Sequence, residues 1–245
     1  MLKKINVWGL LFLSTITFAQ EKVLLRLNYE KGTSYTIDMK MSQIMGGGLM
    51  TNDTNIIMNQ MITESNSDTY NATFKFDKMT MYMMQAGMKM SYDSSKEASD
   101  LDENEKIMKS KIDPLLNTNV FVKGNHLGKV LETSIEPDIP EANDYADNFS
   151  IVYPENKVAV GDTWKVSKKK NGLNMNFEYK VKSIESNKVV LDIGGKVSGI
   201  GEGDINGDVS INRKSGIPIE SKIDMIVKIQ GQDLKTNMIV TYAKN

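Results

Sequence analysis

Apolar residues recur at every second position along much of this chain. Tyr35, Ile37, Met39 and Met41 alternate with Thr36, Asp38 and Lys40. Leu173, Met175, Phe177, Tyr179 and Val181 alternate with Asn174, Asn176, Glu178 and Lys180. Ile217, Ile219, Ile223, Met225, Val227 and Ile229 continue the pattern, interrupted at Ser221; Leu234, Met238, Val240 and Tyr242 close it. Period two is the side-chain repeat of a β-strand, so each segment has one dry face and one wet face, as antiparallel sheets do. Turn residues separate the segments: Gly124-Asn125-His126, Lys170-Asn171-Gly172, Lys214-Ser215-Gly216 and Gln230-Gly231-Gln232-Asp233. A meander with one apolar face must bury it, by rolling up or by stacking two sheets. The expected fold is mainly β: an antiparallel curved sheet, half-barrel or barrel-like, with one or two short helical insertions.

The stretch MTMYMMQAGMKMSY, residues 79–92, holds six methionines: Met79, Met81, Met83, Met84, Met88 and Met90. Upstream, Tyr70, Ala72, Phe74 and Phe76 place even positions on the dry face; from Met79 onward odd positions take over. The phase slips near Asp77-Lys78, as a β-bulge would make it, and a bulge bends its strand. After a turn at Gln85-Ala86-Gly87, Met88, Met90 and Tyr92 alternate with Lys89 and Ser91. Two segments break the β pattern. Ser99-Asp100-Leu101-Asp102 reads as a helix start with Ser99 as N-cap, and Leu101, Ile107, Met108 and Ile112 would share a helical face up to Pro114. Residues 137–153 are expected to hold a second short helix. The glycine-rich tracts at Gly46-Gly47-Gly48 and from Gly194 to Gly207 read as loops or flexible strand ends.

The chain opens MLKKINVWGLLFLSTITFAQ, a basic pair, an apolar run and a small-residue site at Ala19. This is the pattern of a secretory signal peptide, so residues 1–19 are expected to be removed, with Gln20 first in the mature protein. The remaining 226 residues (245 − 19) suffice for a single β-rich domain, 20–245. Within it, Gly32-x-x-Tyr35 aligns with Gly161-x-x-Trp164, and Glu64-Ser65-Asn66 with Glu185-Ser186-Asn187. An internal repeat would then divide the domain into 23–135 and 155–245. No cysteine is present, so disulfides, thiolate nucleophiles and cysteine-ligated metals are excluded. Thirty basic residues face 31 acidic ones; without Lys3 and Lys4 the balance is 28 − 31 = −3, which argues against a nucleic-acid partner.

Candidate chemistry centres on the methionines. Thioethers suit Cu(I), but residues two apart on a strand share a face, here one that also carries Tyr35, Ile37 and Tyr92, and no histidine lies nearby. The same pattern describes a plain core or the lining of a pocket for an apolar guest, to which methionine adapts well. Twelve of the 16 methionines after Met1 lie between 39 and 90. The candidate ligand-binding residues are therefore Tyr35, Met39, Met41, Met79, Met81, Met83, Met88 and Met90, with no metal, cofactor or catalytic residue assigned. His126, the only histidine, falls in a hairpin turn and is expected to be solvated. Gly203-Asp204-Ile205-Asn206-Gly207-Asp208 departs from a calcium loop in its glycine position and in having Ser215 at position twelve. Asp93 and Asp162 are expected to bond local backbone N–H groups, and Trp164 and Tyr35 to anchor the core.

Four landmarks stand out: Tyr29-Glu30-Lys31-Gly32-Thr33-Ser34-Tyr35, the methionine strand running into Ser91-Tyr92-Asp93-Ser94-Ser95, Val160-Gly161-Asp162-Thr163-Trp164, and Ile211-Asn212-Arg213-Lys214-Ser215-Gly216. They resemble an uncharacterised family of exported bacterial β-rich proteins, a domain of unknown function of Gram-negative envelopes. The resemblance covers nearly the whole mature chain. It implies a β fold and a periplasmic or surface location, and supplies no catalytic residues. The expected protein is a monomeric, non-enzymatic, periplasmic one that does not span the membrane and binds an apolar small molecule or lipid, such as an acyl chain. The alternatives are a secreted or cell-surface location, a structural or protein-interaction module with a solid core, and a carboxylate-dependent hydrolase.

Overall fold

The computed structural model describes residues 20–139, 151–170 and 172–245. The expected leader, 1–19, lies outside these residues, as does 140–150, most of the segment in which a second helix is expected. Strands β1 (Lys22–Val23), β2 (Ser34–Met45), β3 (Met50–Ser65), β4 (Thr69–Gln85) and β5 (Met88–Asp93) precede the helix α1 (Glu103–Leu116). There follow β6 (Asn119–Asn125), β7 (Val130–Glu136), β8 (Val158–Ala159), β9 (Thr163–Lys170), β10 (Leu173–Ile184), β11 (Lys188–Gly199), β12 (Gly201–Asn212), β13 (Pro218–Ile229) and β14 (Gln232–Lys244). Twelve strands form one antiparallel sheet in the order β7-β6-β4-β3-β2-β14-β13-β12-β11-β10-β9, with β5 added beside β4. Its outermost strands, β7 and β9, do not pair with each other, so the sheet is curved but not closed into a barrel.

The bend has local causes. Ile57 pairs with Lys78 and Met58 with Phe76, so Asp77 is the extra residue of a bulge where the alternation slips. Thr63 and Lys182 are extra residues at two further bulges. Another sets Ile219 aside, since Ser210 pairs with Glu220 and Ile211 with Pro218. This corrects the reading of Ile219 as an inward residue: it is exposed, and Pro218 is buried instead. The Gly194–Gly207 tract is also corrected. Apart from the hairpin turn at Ile200 it is paired strand, the end of β11 and the start of β12, and not loop. A Cβ on Gly203 would stand 2.0 Å from the Ile226 carbonyl oxygen, and one on Gly207 2.1 Å from that of Lys222, so glycine permits close strand approach there.

The two ends of the sheet differ. At one end, residues 23–29 cross the inner face as a strap, burying Val23, Leu25, Leu27 and Tyr29. The Leu27 N–H donates to His126 O (2.8 Å) and the Asn28 N–H to Ser215 O (2.8 Å), so the strap ties the β6–β7 turn to the β12–β13 turn. His126 is a half-buried clamp and not a solvated turn residue: Nδ1 lies 2.7 Å from Leu27 O and Nε2 3.0 Å from Asn66 O. A second strap, 151–159, lies alongside and pairs β8 with β1. Its Tyr153 hydroxyl donates to Gly216 O (2.6 Å), and the Trp164 indole N–H donates to Val152 O (2.8 Å). The opposite end is formed by the hairpin turns β2–β3, β4–β5, β9–β10, β11–β12 and β13–β14 and has no such cover among the described residues.

A few local arrangements recur along the chain. Gly32 N–H donates to Ile62 O while Ile62 N–H donates to Thr33 O; Gly161 and Val181 make the same exchange, with Asp162 in place of Thr33. The bulges at Thr63 and Lys182 follow directly. Asn125 and Asn212 each accept two backbone N–H bonds on Oδ1, opening turns that end in Gly128 and Gly216. Each glycine then rests on a strap: Gly216 on Arg26 of the first and Gly128 on Ile151 of the second.

A methionine-lined concave face as candidate site

The candidate residues fall into cross-strand rows on the inner face. Val240, Met39, Ile56 and Met79 are successive partners across β14, β2, β3 and β4, and all four are buried. The next row toward the open end is Met238, Met41, Thr54, Met81 and Tyr92. The third is Thr236, Gln43, Asn52, Met83 and Met90, and the last is Leu234, Met45, Met50, Gln85 and Met88. Burial falls along this series: Met79 is 3% exposed, Met81 and Met83 half-buried, Met88 65% exposed. The third row carries a polar ladder that sequence alternation does not reveal. The Asn52 amide donates to Gln43 Oε1 and the Gln43 amide to Thr236 Oγ1, both at 3.4 Å.

Tyr35 does not belong to this group. It packs edge-on against Tyr29 (ring centroids 5.7 Å apart), which in turn meets Tyr70 at 4.7 Å, in the core under the strap. Burial pushes the Tyr70 and Tyr179 hydroxyls up to about 12. Trp164 stacks on Tyr179 at 5.4 Å, the anchoring role expected of it. Tyr35 also borders an open cleft of about 380 Å³ with Asn28, Asn212 and Lys244, at the strapped end.

Helix α1 covers part of the methionine face. Met108, Ile112 and Leu116 pack into the cluster of Met39, Met58, Met79 and Tyr92. The N-cap is Asp102, not Ser99, which lies in a short 3₁₀ turn. The Asp102 side chain accepts from Glu105 N–H (2.8 Å), and Glu105 Oε2 accepts from Asp102 N–H (3.1 Å), a capping box. Ile107 is 54% exposed, one position off the face shared by Met108 and Ile112 at i, i+4. Polar contacts dock the helix: Tyr92 hydroxyl donates to Asp113 (2.8 Å), and Glu105 Oε1 accepts from Ser91 (3.0 Å) and Lys96 (2.7 Å).

These bonds hold the Glu105 carboxyl below the ordinary carboxylate range, the Lys96 ammonium first among them, then the Asp102 N–H and Ser91 hydroxyl. A depressed carboxylate pKa adds stability above its unfolded value and loses it as pH falls through the folded value. The protection of α1 amides, taken relative to their intrinsic exchange rate at each pH, should therefore fall on acidification. Glu105→Gln should exchange faster at neutral pH and respond less to acid; an unchanged acid response in the variant would remove Glu105 from this role.

The crevices within the curve are small. One of about 40 Å³ lies among Leu27, Tyr29, Tyr70, Tyr153, Pro218 and Tyr242. Another of about 50 Å³ lies among Phe177, Ile193, Ile223, Met238 and Val240. Each admits water-sized guests, well short of the several hundred Å³ of a typical ligand pocket, about 300–1,000 Å³. Asp93 accepts from Ser95 N–H (2.9 Å) and Asp162 from Ala159 N–H (2.8 Å), the local turn bonds expected of them. Among the described residues, no group of three or more His, Asp or Glu is placed to hold a metal, and no helix is long and apolar enough to cross a membrane.

No curated protein matches the chain. In fold it is similar to a solved structure described as lipid-protein interactions in lipovitellin, with a TM-score of 0.60 and 9% identity, covering 89% of this chain and 25% of that one. The chain thus spans a quarter of that structure's length. The likeness expected over nearly the whole mature chain is found in the second half: from the approach to β8 through β13 the chain is similar to a family of unknown function (DUF6263), whose model matches residues 142–232.

Proposed function

We propose that this is an exported, periplasmic, non-enzymatic protein that binds an apolar ligand of the acyl-chain class on the methionine-lined part of its concave face. The observation that carries this reading is the continuous methionine series. It runs from buried Met39 and Met79 beneath α1, through half-buried Met41, Met81, Met83 and Met90, to exposed Met88 at the open end. Methionine side chains re-pack around varied apolar shapes at little cost, which suits a wall that must be solid when empty and yield when loaded. The small crevices mean that loading displaces α1 from the face. The fold's similarity to a lipovitellin structure concerned with lipid supports a lipid-like guest. Export rests on the leader pattern of residues 1–19.

A second reading, a structural module with a solid core, is favoured by the same filled interior. Uptake of a fluorescent fatty acid separates the two. Wild type should bind it saturably, and Met81→Trp, which adds bulk beneath α1, should weaken binding at least about tenfold, the loss of about 1.4 kcal/mol, while keeping its thermal transition. No uptake by wild type would leave the structural module as the better account.

A further inference from the structure

The five hairpin turns at the open end form one contiguous rim. Ala86 N–H donates to Leu49 O (3.1 Å), joining the β4–β5 and β2–β3 turns. A Cβ on Gly46 would lie 3.4 Å from the Gln232 side chain, so the β2–β3 turn abuts β13–β14. Gly201 pairs with Ile229, and Ile200 N–H donates to Gly172 O (3.2 Å), which brings in β11–β12 and β9–β10. On this rim stand Leu49, Met88 and Ile200, which are 66%, 65% and 63% exposed, the three most exposed large hydrophobic side chains among the described residues. They come from three different turns, so chance placement along one strand does not unite them.

The charge around them has one predominant sign. Lys89, Lys168, Lys169, Lys170 and Lys228 lie within three residues of these turns, against Glu202 and Asp233; Lys235 and Asp53 each stand one residue farther, and Asp204 is paired with Lys196. Apolar tips that can enter an acyl layer, ringed by ammonium groups at headgroup level, complement an anionic bilayer surface. We infer that the open rim docks on the surface of an anionic phospholipid bilayer, with Leu49, Met88 and Ile200 inserted between headgroups.

Flotation with vesicles tests this. The full mature chain should float with phosphatidylcholine–phosphatidylglycerol vesicles and bind pure phosphatidylcholine vesicles more weakly. L49S/M88S/I200S should lose binding to both, by at least about tenfold, and K169E/K170E should lose the preference for the anionic mixture. L24S/L131S, which changes exposed side chains at the strapped end and on β7, should bind like wild type. Wild type remaining in the soluble fraction with the anionic vesicles, or the L24S/L131S control losing as much as the rim variant, overturns the proposal. All the altered side chains except half-buried Lys170 are exposed, and an unchanged thermal transition confirms that each variant is folded. Met88 belongs to both surfaces, but Leu49, Ile200 and the lysines belong to the rim alone and Met81 to the concave face alone, so either proposal can fail without the other.

Discussion

A chain that begins at Lys31 is expected not to fold cooperatively. It would lack only residues that belong to no strand of the large sheet, yet those residues fill its curve. Val23, Leu25 and Leu27 are 8%, 1% and 6% exposed, and they pack with Ile62, Val181, Leu191 and Val209 from both halves of the chain. Burying three such aliphatic side chains contributes roughly 5–9 kcal/mol, comparable with the whole stability of a typical domain, about 5–15 kcal/mol. Tyr29 adds its ring contacts with Tyr35 and Tyr70. Removal also leaves the sheet's inner face wet and unties the β6–β7 turn from the β12–β13 turn. Urea unfolding of the Gln20 and Lys31 forms measures this. A sharp transition of near-wild-type midpoint in the shorter form would show that the sheet closes on itself without its strap.

Gly216→Ala should be among the most damaging single-methyl changes in the protein. A Cβ at this position would stand 1.9 Å from the Arg26 carbonyl oxygen and 2.5 Å from its carbon, backbone atoms that cannot swing aside. The residue also has φ +67°, a left-handed conformation that disfavours L side chains. Strain from the dihedral, about 1–2 kcal/mol, and overpacking, about 1–3 kcal/mol, together predict a loss of roughly 3 kcal/mol or more. Gly231→Ala provides the control. It has φ +83° with no atom within 4 Å of the added methyl, so only the dihedral strain of about 1–2 kcal/mol should appear. Equal losses at the two sites in thermal or urea unfolding would show that the strap yields at Gly216. Gly128→Ala should behave like Gly216→Ala, since its Cβ would lie 2.0 Å from the Ile151 carbonyl oxygen.

Alternation by itself determined that the segments of β2, β4, β5, β10, β13 and β14 are strands, which side of most of each is dry, and where the methionine strand bends, because those properties depend only on residues a few positions apart. Asp77 shows this: two apolar residues falling out of phase require an extra residue between them, whatever the sheet's neighbours are. The turn glycines and the approach to α1 are legible for the same reason, although the true N-cap, Asp102, lies three residues beyond Ser99. What the tertiary structure alone decided involves partners far along the chain. The inward turn of Pro218 in place of Ile219, the clamp made by His126, and the separation of Tyr35 from the methionine rows all follow from which segment crosses the inner face. The glycines of β12 look like a flexible tract until the carbonyls of β13 are set against them; their need for glycine is a property of the neighbouring strand. The first strap does alternate, with Val23, Leu25, Leu27 and Tyr29 buried between Leu24, Arg26 and Asn28, but that local pattern does not say that the segment crosses the inner face instead of joining the sheet. The local pattern of hydrophobicity specifies faces, and long-range packing chooses what each face meets.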